Sequence, residues 1–198
     1  MQLAIASANP GKLKEFRLLF QPMGVEITSL AELGAPQANE TGETFEENAR
    51  LKAVSLAKAT GLWALADDSG LEVDALDGEP GVYSARYAGE GASDEANVAK
   101  LLDRLAGVPD EKRGAQFRCV LALAAPDGRV WTEEGICRGR IAPRPSGNQG
   151  FGYDPVFVPQ GHVETFAEMS PENKAAMSHR GIAMRRMLAT FEASGALG

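Results

Sequence analysis

The residue types best suited to chemistry stand together where an apolar run ends. Asp67 and Asp68 follow the apolar segment 63–66, and Ser69 and Gly70 come directly after them. Adjacent carboxylates beside an apolar segment are costly unless they are solvated, paired or bound to a cation. Without a histidine cluster, they indicate a hard, oxygen-preferring ion such as Mg²⁺ rather than zinc. A solvated turn is the alternative, and this stretch alone does not decide between the two.

Neighbouring residues of a strand face opposite ways, so we expect one of Asp67 and Asp68 to point into a site and the other to hold the loop. Glu40, from a segment ahead of a predicted helix, is a candidate second metal ligand. Lys52, two turns into that helix, is a candidate phosphate contact. Taken alone, both fit simpler roles, because an acidic residue complements a helix start and a lysine is commonly solvated.

A loop between a predicted strand and a predicted helix is suited to binding an anion. It runs Ser7, Ala8, Asn9, Pro10, Gly11, Lys12. Backbone N–H groups and the helix dipole favour negative charge at such a point, and the lysine adds a full positive charge. The Walker A pattern is absent. An ordinary Asn-capped helix with a surface lysine explains this stretch alone at least as well.

Two further segments have a composition suited to a nucleobase. Phe151, Gly152, Tyr153 and Asp154 lie in a glycine-rich loop, where either aromatic ring could stack on a base and the carboxylate could accept from its edge. The alternative is a structural turn before a strand at 156–158. Further on, Lys174, His179 and Arg180 concentrate positive charge near a predicted helix start, which favours an anionic or keto-rich ligand over an exposed basic face.

Helices and strands alternate around these segments. A strand at 2–7 and a helix at 12–20 open an α/β pattern. Thr44 and Glu47 form a predicted capping box for a helix ending near Gly61. The further predicted elements are a strand at 62–66 that the Asp pair interrupts, a helix from Ser93 to 105, a hairpin of 117–124 and 130–140, a helix opening at Ser170-Pro171, and a last helix at 178–191. The hairpin makes the predicted sheet mixed.

Composition restricts the class of protein. The 198 residues are 44% hydrophobic and 24% charged, so we expect one folded domain over 1–198. A net charge of −7 argues against a nucleic-acid-binding surface. No segment reads as a membrane span or a leader peptide, so we expect no membrane partner and a cytoplasmic location. Cys119 and Cys137 lie in apolar runs and are expected to be buried free thiols.

In combination, these segments resemble the inosine triphosphate pyrophosphatase family. The matching stretches are SANPGK (7–12), ETGETFEENARLKA (40–53), ADDSGLEVDALDGEPGVYSARYAGE (66–90), GFGYDPVF (150–157) and KAAMSHRG (174–181). They extend over nearly the whole chain, and the long central stretch is the most specific of them. The resemblance implies hydrolysis of non-standard purine nucleoside triphosphates (ITP, dITP, XTP) to the monophosphate and pyrophosphate.

The resemblance also implies a role for each matching residue. Asp68 would be the general base and, with Glu40, a Mg²⁺ ligand, while Asp67 would support them. The phosphate contacts would be Ser7, Ala8, Asn9, Pro10, Gly11, Lys12, Lys52 and Ser69. The base pocket would be Phe151, Gly152, Tyr153, Asp154, Lys174, His179 and Arg180. The implied fold is an elongated mixed β-sheet with helices on its faces and two lobes flanking a central substrate cleft, in a homodimer.

Other functions are compatible with parts of the pattern. The chain could act on methylated or pyrimidine triphosphates instead. A nucleotide sensor that binds without cleaving is a second alternative, although a phosphate-binding module gains little from extra carboxylates. A protein–protein module with acidic contact loops is a third. Pyrophosphate release from a panel of triphosphates tests the first alternative, and binding of ITP without any product in the presence of Mg²⁺ would favour the sensor.

Overall fold

The computed structural model describes residues 2–193 as an alternation of helices and strands. The elements are β1 (Gln2–Ile5), α1 (Pro10–Phe20), β2 (Glu26–Ser29), α2 (Phe45–Thr60), β3 (Trp63–Val73), α3 (Asp94–Arg104), β4 (Gly114–Ala124), β5 (Val130–Ile141), β6 (Phe157–Pro159), α4 (Pro171–Met177) and α5 (His179–Ala193). Among these residues, no helix combines the length and apolar character that crossing a bilayer requires.

The sheet contains both parallel and antiparallel pairs, as the sequence predicts. Its strand order is β2-β1-β3-β4-β5-β6. β1 pairs in parallel with β2 and with β3, aligning Leu3 with Trp63. β5 pairs antiparallel with β6, aligning Arg140 with Val158. The predicted mixed α/β class is therefore confirmed.

The chain forms two compact units, each with its own hydrophobic core. Unit 1 consists of the described residues of Met1–Asp68, Cys119–Gly135 and Arg180–Gly198, and unit 2 of Ser69–Arg118 and Ile136–His179. The core of unit 1 includes Phe16, Leu65, Cys119 and Met184. That of unit 2 includes Leu71, Phe117, Phe157 and Phe166. Both cysteines are buried free thiols, as expected.

Local sequence signals place the helix ends correctly. Thr44 Oγ1 accepts from the Glu47 amide and the Glu47 side chain accepts from the cap amide, while Gly61 closes α2 in the left-handed conformation at φ 68°. The Ser93 and Ser170 hydroxyls cap α3 and α4. In α5, Met184, Met187 and Phe191 are buried, whereas the Ile182 and Leu188 side chains are partly exposed.

Several predicted boundaries are wrong: β1 ends at Ile5 rather than at 7, α1 begins at Pro10 rather than at 12, and β3 is longer than predicted. β3 does not stop at the Asp pair but continues through Asp67, Asp68, Ser69 and Gly70 to Val73. The turn alternative for these residues is therefore excluded. The carboxylates remain within a strand because cations from other elements reach them, as described next.

Candidate functional site: a charged cluster and an aromatic loop

Asp67 and Asp68 are both buried in unit 1, with 2% and 7% of their surface exposed. As adjacent residues of β3 they take different partners. Asp68 Oδ1 accepts from Lys52 Nζ at 2.9 Å, and the same ammonium donates to Glu40 Oε1 at 3.0 Å. Lys52 therefore pairs with two carboxylates, at positions 40 and 68, that lie 28 positions apart in the sequence.

The capped start of α2 brings Glu40 and Lys52 together. The Asn48 side-chain oxygen accepts from the Gly42 amide at 2.8 Å, which fixes the segment ahead of the helix. A Cβ on Gly42 would lie 2.7 Å from the Asn48 and Glu47 side chains, so only glycine fits at this contact. Glycine at position 42 therefore lets the Glu40 segment close onto the helix that carries Lys52.

Burial and neighbouring charge act together on this trio. Desolvation lowers the pKa of Lys52, but Asp68, Glu40 and Asp67 outweigh it, so its pKa is raised. For Asp68, burial raises the pKa and the Lys52 charge offsets this only in part, leaving it above its ordinary value. A buried carboxylate with a raised pKa is better suited to accepting a proton than a solvated one.

Asp67 is held by a second set of cations. Its Oδ2 accepts from Arg180 Nε at 3.0 Å and Nη2 at 2.9 Å, and its Oδ1 pairs with the Lys12 ammonium. Burial alone would raise the pKa of Asp67, but Arg180 and Lys12 hold it well below its usual range. Arg180 also pairs with Glu15 through Nη1. The lowered pKa favours the ionised form of Asp67, which pairs with both cations.

The 7–12 segment has the geometry of a capped helix start. Asn9 Oδ1 accepts from the Lys12 amide at 3.1 Å, and Ser7 Oγ accepts from the Asn9 amide at 3.2 Å. Ala8, Asn9 and Pro10 are exposed. The Asn-capped helix, weighed above as the simpler alternative, is present, but Lys12 is not a solvated lysine because its ammonium is tied to Asp67.

The oxygen donors at Asp68 and Glu40 suit a hard divalent cation. Asp68 Oδ2 is buried and has no hydrogen-bond partner among residues 2–193, so one acceptor position stays unused. In that same range, no three His, Cys, Asp or Glu side chains are grouped as a metal site. Mg²⁺ commonly takes only one or two protein carboxylates and completes its shell with water and substrate phosphates. The residues present fit such an ion.

In unit 2, the segment 150–154, here called the aromatic loop, is organised by Asp154. Its buried Oδ2 accepts from the Phe151 amide at 2.9 Å and from Lys174 Nζ at 2.5 Å. A Cβ at Gly150, where φ is 73°, would collide with this carboxylate. The Lys174 ammonium also lies 4.9 Å from the centre of the Phe151 ring. One buried ion pair thus sets both the backbone and the exposed ring of the loop.

Two further bonds fix the rest of the aromatic loop. The Gly152 amide donates to Asp94 Oδ2 at 2.7 Å, and Tyr153 Oη donates to the Ser84 carbonyl at 2.7 Å. Tyr153 lies in the core of unit 2, and its burial raises the pKa of the phenol. Of the two aromatic candidates, only Phe151 is left partly exposed to meet a ligand.

Comparison with known proteins shows the family to which the chain belongs. The family model described as "Ham1 family" matches residues 3–190. The chain belongs to the Ham1 family. A dITP/XTP pyrophosphatase of Desulforamulus reducens is 51% identical over 95% of this chain and 94% of its own. The dITP/XTP pyrophosphatase of Bacillus subtilis is 48% identical over 96% of each. A solved HAM1 protein from Coxiella burnetii has a TM-score of 0.86 at 41% identity, covering 97% of this chain and 98% of its own.

Within this Ham1 fold, the predicted residues fall into two groups. Unit 1 brings together Glu40, Lys52, Asp68, Lys12 and Arg180, the last through Asp67. Unit 2 holds the aromatic loop and Lys174. His179 is buried in unit 2, stacked on Phe117 with ring centres 4.6 Å apart. A direct contact of Arg180 or His179 with a base therefore stays a prediction.

Three residues that contact the predicted site residues were not identified from the sequence. Glu15 is the second partner of Arg180, Cys119 Sγ lies 3.4 Å from Asp67 Oδ2, and Asp94 binds the aromatic loop. Only Glu15 carries a local signal, because it stands three residues after Lys12 and so shares a face of α1 with it. The other two act across contacts that no local pattern reveals.

Proposed function

We propose that the chain hydrolyses non-standard purine nucleoside triphosphates, namely ITP, dITP and XTP, to the monophosphate and pyrophosphate. The observation that carries the proposal is the pairing of the buried Asp68 with Glu40 across Lys52. The names of the Ham1 relatives support the substrate class. An acidic pair joined by a lysine is suited to a reaction that brings together a triphosphate, a metal cation and a general base.

In the proposed reaction, water attacks the α-phosphorus. A triphosphate carries about four negative charges, which must be neutralised before a nucleophile can approach. Lys12 and Lys52 would provide that neutralisation from the protein, while the Ser69 hydroxyl and the backbone N–H groups of Ser7, Ala8 and Gly11 would donate hydrogen bonds to the phosphates. Asp68 would accept the proton of the attacking water through its free Oδ2, and its raised pKa favours that role. Asp67 would keep Lys12 in place.

Asp68 and Glu40 would hold Mg²⁺. When bound, this ion neutralises phosphate charge and acidifies water, which is the chemistry that carboxylates alone cannot supply. The Lys52 ammonium already joins both carboxylates. It therefore keeps them near each other before substrate binds and adds its own charge to the phosphate contacts.

Base selection would depend on donors facing the 6-position of the purine. Inosine and xanthosine carry a keto oxygen there, while adenine carries an amino group. Of the candidate contacts, Phe151 and Gly152 are partly exposed, whereas Tyr153, Asp154, Lys174, His179 and Arg180 are buried. Donors such as Arg180 and His179 would satisfy the oxygen but leave the adenine amino group unpaired, a cost of about 1–3 kcal/mol. Phe151 would stack on the base.

The test is the product released from ITP with Mg²⁺ present. We expect pyrophosphate and inosine monophosphate, no turnover in EDTA, and recovery on adding Mg²⁺. Orthophosphate would instead make the protein a phosphatase. ITP binding without any product would make it a sensor, and faster turnover of dUTP or dTTP than of ITP would overturn the purine assignment.

The remaining proposals concern organisation. We propose that residues 1–198 act as a single nucleotide pyrophosphatase domain, in the cytoplasm and as a homodimer. Light scattering coupled to size exclusion tests the last of these, with about twice the 21.0 kDa chain mass expected. A mass equal to one chain at assay concentration would contradict the dimer.

A further inference from the structure

A cavity in unit 2 contains cationic side chains that the proposed reaction does not use. It has a volume of about 300 Å³ and lies along β5, β6 and the turn that follows. Its lining includes Asp74, Arg138, Arg140, Val158, Gln160 and His162. None of these residues belongs to the charged cluster of unit 1 or to the aromatic loop. This volume lies at the lower end of those that hold small ligands.

The two arginines of this cavity share one face of the sheet. Arg138 and Arg140 stand two positions apart on β5, and alternate residues of a strand point the same way. Both are exposed. Within residues 2–193, neither guanidinium pairs with a carboxylate. Arg104 and Arg129, by contrast, lie 2.9 Å from Glu79 and 2.7 Å from Asp127. The chain has 27 acidic and 20 basic residues. Two neighbouring arginines without a carboxylate partner among the described residues therefore make this surface locally positive.

The remaining walls fit a small ligand with a polar end. His162 and Gln160 are exposed and can donate hydrogen bonds beside the arginines, while Val158 and Pro159 are buried and provide an apolar floor. Gly139 has no room for a side chain, because a Cβ there would strike the Val158 carbonyl and the Phe157 ring. Phe157 therefore covers the Gly139 backbone on the face of β5 opposite the two arginines.

We infer that this cavity, here called the β5–β6 site, binds a small phosphate-bearing anion. Paired guanidinium groups bind phosphate oxygens through two parallel hydrogen bonds, which gives both charge and direction. A phosphate held by Arg138 and Arg140 leaves the apolar floor for the rest of the ligand. Asp74 is the one carboxylate of the lining, and it opposes the anion. A Cβ on Gly114 would lie 2.5 Å from Asp74 Oδ2, so the Asp74 carboxylate packs directly against this glycine.

A site-resolved NMR titration of the full chain tests the inference. The probes are inorganic phosphate, pyrophosphate and inosine monophosphate, each matched in ionic strength with sodium chloride. We expect saturable shifts of the Gly139, Gly161 and His162 amides. Stronger binding of the monophosphate than of inorganic phosphate would indicate a nucleotide as the occupant, and equal binding would indicate the phosphate group alone. Shifts of equal size with chloride would overturn the site.

Variants separate charge from geometry. Arg138→Ala with Arg140→Ala should weaken phosphate binding about tenfold or more, and Arg138→Lys with Arg140→Lys should recover only part of it. Asp74→Asn should tighten binding about threefold, because a like charge is removed. Arg144→Ala, an exposed arginine outside the cavity, is the control. Unchanged affinity in the double alanine variant would refute the inference.

Activity separates this site from the proposed function. Pyrophosphate release from saturating ITP should stay within about twofold in the double alanine variant, since neither arginine is part of the proposed catalytic machinery. A fall in the sedimentation coefficient of that variant would make the surface an interface between two copies of the chain and overturn the inference. Failure of ITP hydrolysis in the wild type would leave the phosphate titration readable on its own.

Discussion

The charged cluster of unit 1 and the aromatic loop of unit 2 hold their polar groups by different means. In the cluster, full charges face each other directly: Lys52 joins two carboxylates, and Asp67 joins two cations. In the aromatic loop, carboxylates accept from backbone amides, and a single buried pair, Asp154 with Lys174, sits behind them. The first arrangement concentrates charge, as the proposed reaction requires. The second fixes the shape of a loop, as the proposed base recognition requires.

This difference predicts how each region fails. A change in the cluster leaves a buried charge without its partner, which costs several kcal/mol or removes the chemistry. A change in the aromatic loop loses one hydrogen bond or one ring contact and should alter binding more than turnover. Substitutions in the two regions that have effects of the same kind would contradict this difference.

The largest effect is expected from Asp68→Asn. The amide cannot accept a proton or balance Lys52, so kcat for pyrophosphate release from ITP should fall by about 10³- to 10⁴-fold, the upper range for loss of a general base. Circular dichroism should remain that of the wild type. Asp127→Asn, in the exposed turn between β4 and β5, is the matched control. Turnover near the wild-type rate in folded Asp68→Asn would refute the base assignment.

A second large effect should be on stability. Arg180 is 2% exposed and is the cation for both Asp67 and Glu15, so Arg180→Ala leaves two carboxylates poorly balanced. We expect the free energy of unfolding to fall by about 3–5 kcal/mol in urea titrations. Arg129→Ala, an exposed arginine, should show no such loss. Wild-type stability in Arg180→Ala would mean that the buried network adds little and that Arg180 serves only the ligand.

That second prediction differs from what the sequence suggested, and the reason is distance along the chain. Arg180 and Asp67 are 113 positions apart, and Arg180 and Glu15 are 165 apart. No local sequence pattern reveals such a contact. From the sequence alone, the positive charge at the start of α5 therefore indicates a ligand. The same limit explains the β3 boundary: an Asp pair looks like a turn until Lys12, Lys52 and Arg180 neutralise it.

Short-range signals were predicted with more success. The Thr44–Glu47 capping box depends on residues three apart, and so do the Ser93 and Ser170 caps. The pairing of Glu40 with Lys52 lies between the two cases, because the capped helix start fixes where both residues stand. The sequence around Asp94 and around Cys119 contains no comparable local pattern, because each residue contacts a distant segment through a single bond.

A smaller effect is expected from Phe151→Ala. Loss of a stacking ring costs about 1–3 kcal/mol, so KM for ITP should rise about tenfold while kcat stays within about twofold. Tyr83→Ala, which removes an aromatic ring that is 59% exposed, is the control. A fall in kcat with unchanged KM would place Phe151 with the catalytic residues rather than with recognition, and would weaken the contrast between the two regions.

The smallest effect should come from Asp94→Asn, and it tests the contrast most finely. Asp94 begins α3 and accepts from the Gly152 amide at 2.7 Å, so the amide variant weakens a charge-assisted bond without creating a cavity. We expect KM for ITP to rise about three- to fivefold, with kcat and the unfolding midpoint little changed, because the aromatic loop is still held by Asp154. Glu95→Gln removes a charge from the same first turn and should leave KM unaltered. If both variants raise KM equally, the effect belongs to the charge at the start of α3, and the aromatic loop is not positioned by Asp94.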